Sequence, residues 1–209
     1  MIDHFVLLNE PRRPSLDPEA LKQKFLALSA EAHPDRSHNA SPVEKQAAND
    51  RYIALNAAYQ CLHDPRDRML HLLELESGSR PPQLQDKNIP AALVDLSFTV
   101  GQLCRQVDSF LAEKSRASSP VLKAQLLERG LESLDKLQSL QSQINTLRDA
   151  SLAAVKLLDP AWESASPASS VEARRHSLPL EALEQHCRLL GYLGRWSQQI
   201  QERITQLAF

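Results

Sequence analysis

A capping residue followed directly by proline recurs along this chain, and each such pair fixes where a helix begins. Asp17-Pro18-Glu19 sets a carboxylate at the N-cap, a proline at the first helical position and an acid in the first turn. Proline loses nothing there, because the first N–H of a helix has no intrahelical partner and its φ is already helical. Ser41-Pro42-Val43-Glu44 adds the S-x-x-E capping box to the same device. Asp64-Pro65 and Ser119-Pro120 repeat it, and Asp159-Pro160 interrupts the segment that follows Pro120.

Between these starts the apolar residues keep a helical period. Leu21, Phe25 and Leu28 make one face of a helix that ends near His33-Pro34, since the residue before proline is pushed out of the α region. Ala48, Tyr52, Leu55, Tyr59 and Leu62 continue the pattern after Pro42 and can face the first stripe, which predicts an antiparallel helical hairpin. A short helix follows over Arg66 to Leu75, with Met69, Leu72 and Leu73 apolar, and Gly78 with Pro81-Pro82 breaks it. Phe5-Val6-Leu7-Leu8 is too brief for periodicity and is read as a helical turn closing this small N-terminal region.

The later stripes are longer. Ile89, Leu93, Leu96, Val100, Leu103, Val107 and Phe110 alternate steps of four and three, as in a bundle seam. Leu127, Leu131, Leu134, Leu137, Leu140, Ile144 and Leu147 make a second, and Leu183, Leu189, Leu193, Trp196, Ile200, Ile204 and Leu207 a third. Ser164 to Ser170, built of serine, alanine and proline, is read as a flexible loop. Only five glycines in 209 residues agree with an all-α chain. The expected division is a hairpin domain over 1–76, a linker over 77–88 and a three-helix bundle over 89–209.

Several function classes are disfavoured. A formal net charge of -2 leaves no bulk basic footprint for nucleic acid or anionic membrane. Cys61, Cys104 and Cys187 are odd in number and far apart, with no C-x-x-C pair, so each is expected as a small buried hydrophobe. No apolar run reaches membrane-spanning length and the first residues lack a signal pattern, so a soluble cytoplasmic protein is expected.

The hairpin loop carries His33-Pro34-Asp35. Pro34 fixes its own φ and restricts His33, so an imidazole and a carboxylate are held on a stiffened loop, and less entropy is lost on docking. Asp35 can accept charge-assisted hydrogen bonds from a partner's arginine, and His33 can donate or accept. Lys22, Lys24 and Arg36 add a thin basic edge that would steer encounter with an acidic surface. On its own the tripeptide reads equally as a helix stop and a turn. His33 and His38 flanking Asp35 find no further ligands to close a metal shell, and a narrow loop offers no enclosed pocket for acid–base catalysis. Neither an enzyme nor a cofactor or metal site is expected.

In context the tripeptide gains weight. Asp3-His4-Phe5, Leu16-Asp17, Phe25, Leu28, Asn56, Tyr59, Leu62, Asp64-Pro65 and Arg68 stand around it as they do in a J-domain, and residues 3 to 75 resemble the DnaJ family. Ala32 takes the place of the tyrosine usually found before the tripeptide. The resemblance implies docking to a DnaK/HscA-type ATPase chaperone through His33, Pro34 and Asp35, with stimulation of ATP hydrolysis. Neither a glycine-phenylalanine linker nor a cysteine-rich module follows, and the helical second half is similar to the iron–sulfur co-chaperone HscB. That implies a client surface at the start of the bundle for an IscU-like iron–sulfur scaffold, around Ala92, Leu93 and Leu96. Ser97, Thr99 and Gly101 stand where the family would show acids, and Leu93 and Leu96 read equally as bundle core. A helical adaptor recruiting the chaperone to another assembly is the rival reading.

Overall fold

Three of the caps read from sequence close helix ends in the computed structural model, which describes residues 2–33, 41–78, 89–116, 119–165 and 170–208, with the backbone alone at 120–124 and 171. The Asp17 carboxylate accepts from the N–H groups of Glu19 and Ala20, both at 2.9 Å. The Ser41 hydroxyl accepts from the Glu44 N–H at 3.3 Å while the Glu44 carboxylate accepts from the Ser41 N–H at 2.8 Å, a complete capping box. Asp64 accepts from the Asp67 N–H at 2.8 Å. Asp3 caps the short apolar turn near the N-terminus in the same way, from the Phe5 N–H at 2.9 Å.

The helices so started are α1 (His4–Leu7), α2 (Pro18–Glu31), α3 (Pro42–His63) and α4 (Pro65–Ser77). A 3-10 turn, Ala91–Leu93, leads into α5 (Val94–Arg116), followed by α6 (Pro120–Lys156), α7 (Asp159–Ser164), α8 (Val171–Ser177) and α9 (Leu180–Ala208). No strand occurs among the described residues, in keeping with the all-α expectation. Helix α4 ends as Gly78 turns into the left-handed region at φ 74°, which glycine enters without a Cβ penalty.

The packing separates into two units that do not follow chain order. The first takes residues 1–85 together with 152–187, and the second takes 86–151 with 188–209. The sequence-order division put the whole stretch after residue 88 in the bundle. The reason for the difference lies in burial: Trp162, Leu178, Leu183 and Cys187, all in the returning segment, are core residues.

In the first unit, α2 and α3 pair antiparallel. Phe25 stacks on Tyr59 at 4.3 Å between ring centroids, whereas His33, further along α2's direction, meets Tyr52, further back on α3. Phe5, Leu8, Leu21, Leu55, Leu62, Met69, Leu72 and Leu73 are fully buried. Arg68 is buried with them, donating through Nε to the Pro14 carbonyl at 2.7 Å and through Nη1 to the Leu62 carbonyl at 2.6 Å. Helix α8 is held to α4 by a buried ion pair in which Arg174 grips both oxygens of Glu76 at 2.6 and 2.8 Å. The Ser15 N–H donates to Asp159 at the start of α7, at 3.0 Å.

The second unit is a three-helix core. Leu93, Val100, Leu103 and Val107 meet Leu137, Leu140 and Ile144 of α6 and Leu193, Trp196 and Ile200 of α9. The predicted stripes bury as expected toward their middles, while Leu127 and Leu131 near the start of α6 are exposed.

Candidate functional site

The loop proposed to dock the ATPase is anchored at both ends. On the incoming side, Ala32 caps α2, its N–H donating to the Leu28 carbonyl at 3.1 Å. His33 follows, half-buried, with its ring edge-on to Tyr52 of α3 at 5.7 Å and 82°. An aromatic edge contact of this kind restrains the ring while part of it stays accessible. On the outgoing side the Ser41–Glu44 capping box starts α3. Pro34, Asp35 and Arg36 lie outside the described residues.

The two lysines named from sequence differ in their surroundings. Lys22 is exposed on α2. Lys24 donates to the Asn9 carbonyl at 2.9 Å and pairs with the Glu10 carboxylate at 2.9 Å, so much of its charge is compensated within the fold. Asn9 presents that carbonyl from a left-handed turn at φ 52°, a conformation asparagine tolerates better than most residues. The sequence placed both lysines on one helix but held no sign of the Glu10 partner, which comes from the segment before α2.

The three residues named for client contact also separate. Ala92 is exposed, Leu96 is half-buried against the bundle core, and Leu93 is 1% exposed and belongs to that core. Leu93 therefore offers no side-chain surface in this conformation. Phe98 is the apolar residue that sequence reasoning passed over: it is 70% exposed on α5, with Val94 and Ile89 also exposed nearby in the chain. The available signal was its phase, since Phe98 falls off the seam that runs through Val100, Leu103 and Val107. Ser97 and Thr99 donate their hydroxyls to the carbonyls of Val94 and Asp95 on their own helix, at 2.6 and 3.0 Å. This edge is apolar with little carboxylate.

No protein-family model matches the chain. A curated protein of Bordetella petrii named co-chaperone protein HscB homolog is 40% identical over 72 residues, 34% of this chain and 42% of that protein. The protein of that name from Bordetella pertussis is 42% identical over 72 residues, again 42% of its length. The matched stretch thus spans less than half of the curated relatives. Among solved structures, the chaperone HscB from Vibrio cholerae aligns with 99% of this chain and 99% of its own at a TM-score of 0.62 and 19% identity. Human co-chaperone protein HscB aligns with 98% of this chain and 81% of its own, at a TM-score of 0.53 and 18% identity. Identities this low speak to fold alone. No helix among the described residues is long and apolar enough to cross a membrane. In fold along nearly its whole length, and in sequence over 72 residues, this chain resembles the HscB co-chaperones.

Proposed function

We propose that this chain is a cytoplasmic J-domain co-chaperone of the HscB kind, not itself an enzyme. His33, Pro34 and Asp35 dock on the nucleotide-binding domain of a DnaK/HscA-type ATPase and stimulate hydrolysis, while the bundle delivers an IscU-like iron–sulfur scaffold. The observation that carries the reading is the antiparallel α2–α3 hairpin joined through the tripeptide, with His33 braced by Tyr52 at its root. Lys22 and Arg36 supply the steering charge, Lys24 less so because of its Glu10 partner. On the client side, Ala92 and the exposed Phe98 take the contact, with Leu96 at the margin and Leu93 supporting from the core.

Steady-state ATP hydrolysis by the chaperone, with and without this protein, tests the reading. Asp35→Asn should reduce stimulation to the chaperone's basal rate and leave the helical content and client affinity unchanged. Equal stimulation by wild type and Asp35→Asn sinks it. The rival, a helical adaptor serving a different assembly, is favoured by the hydroxyl-bearing Ser97 and Thr99 where a scaffold-binding edge would carry acids. Recovery of a cysteine-bearing scaffold with the tagged chain decides for the first reading, and recovery of another complex for the second.

A further inference from the structure

His4, Cys61 and His71 come from three elements of the first unit: the start of α1, the end of α3 and the middle of α4. One ligating atom from each, a ring nitrogen of either histidine and the Cys61 sulfur, lies within 4.8 Å of the others. The imidazole rings are 4.4 Å apart between centroids, and Phe5 stacks on His71 at 5.9 Å. His71 is buried, and His4 and Cys61 are half-buried. Nδ1 of His4 is buried with no hydrogen-bond partner. Buried polar atoms without partners are uncommon in native folds and call for a reason.

The donor set points to a class of ion. Two imidazole nitrogens and a thiolate suit a borderline-soft cation, whereas calcium and magnesium ask for oxygen. A tetrahedral zinc shell, with bonds of about 2.0–2.3 Å, sets its donors roughly 3.3–3.8 Å apart. Three groups already gathered within 4.8 Å need a contraction of about 1 Å to reach that spacing. Asp67, Glu74 and Asp64 stand close enough to Cys61 to act on it electrostatically, a negative surrounding that favours a cation, with Arg68 opposing them. His71 Nε2 accepts from the His4 N–H at 3.1 Å. If that nitrogen ligates, the His4 N–H in the first turn of α1 gives up this acceptor.

We propose that His4, Cys61 and His71 bind one zinc ion, with water completing the shell, and so tie α1 to the α3–α4 corner. Binding replaces the thiol proton of Cys61 by the metal and releases that proton to solvent. The plain alternative is a packed corner in which the Cys61 thiol donates to the Asp67 carbonyl at 3.7 Å and His71 accepts from the His4 N–H.

The test uses the full chain, stripped with chelator and titrated with zinc chloride against a chromophoric zinc indicator. One equivalent should bind, raising the thermal midpoint, and Cys61→Ser or His4→Gln should weaken affinity at least tenfold. Cobalt loading should give sulfur-to-metal charge-transfer absorption that Cys61→Ser removes and Cys104→Ser keeps. Circular dichroism of each metal-free variant checks the fold, and the half-buried positions carry the test should His71→Phe not fold. Absence of stoichiometric zinc binding, or equal affinity in wild type, Cys61→Ser and His4→Gln, overturns the proposal.

Discussion

Arg68 shows how much one side chain can join. Its guanidinium, 8% exposed, reaches the Pro14 carbonyl ahead of α2 and the Leu62 carbonyl near the end of α3. Arg68→Met leaves both carbonyls without their donor, and the cost should be about 2–5 kcal/mol in urea unfolding. Arg68→Lys should recover only part, because an ammonium cannot copy the planar fork. A midpoint within a few tenths of a molar of wild type for Arg68→Met contradicts this. The residue was legible as a family position, but its partners were not: Pro14 lies 54 residues away and bonds through its backbone, which leaves no trace in sequence pattern. Glu44 gives a pH-dependent counterpart. Hydrogen bonds from Ser41 hold its carboxyl below the ordinary value, so the folded state has the lower pKa. The capping box therefore contributes fully above the unfolded pKa of about 4.5 and is lost as pH falls through the depressed one. Protection factors of the amides in the first turn of α3, taken against the intrinsic exchange rate at each pH, should fall on acidification in wild type and change less in Glu44→Gln.

Elements announced by local chemistry were read well, and those held by distant chemistry were not. Helices α2, α3 and α4 each start at a cap and a proline that sit beside one another in the chain. Helix α8 has the sequence Val-Glu-Ala-Arg-Arg-His-Ser, with little apolar periodicity, and was passed over between the serine-rich stretch and the last stripe. It docks on α4 through Arg174 and Glu76, whose side chains are 8% and 1% exposed. Removing one partner of a buried pair strands the other charge, so Glu76→Leu should destabilise by about 3–5 kcal/mol and Arg174→Met by a similar amount. The double variant Glu76→Leu with Arg174→Met should recover much of the loss, as a double-mutant cycle in urea would read. Strict additivity of the two single losses would show that the residues act independently.

Across the molecule, the sequence conveyed the all-α class and the bundle seam but not the grouping of segments. The seam's period states which residues face inward, as for Val100, Leu103 and Val107, yet it does not state which surface a later segment covers. For the same reason Leu93 read equally as core and client contact, and only burial decides that its side chain lies inside. The proposed division of labour can be checked at this scale. Phe98→Ser should lower client affinity about tenfold while leaving stimulation of the ATPase without client unchanged, since hydrolysis is assigned to the hairpin loop. Equal client binding by the variant removes Phe98 from the client surface.

The return of residues 152–187 to the first unit has a consequence for biosynthesis. A nascent chain emerging from the ribosome presents α4 long before α8 exists, and Glu76 waits through 98 further residues for Arg174. Until then an acidic side chain destined for the interior remains hydrated. The N-terminal region therefore reaches its final form only after most of the polypeptide has been translated, and a stop codon anywhere before residue 187 leaves it short of part of its own packing.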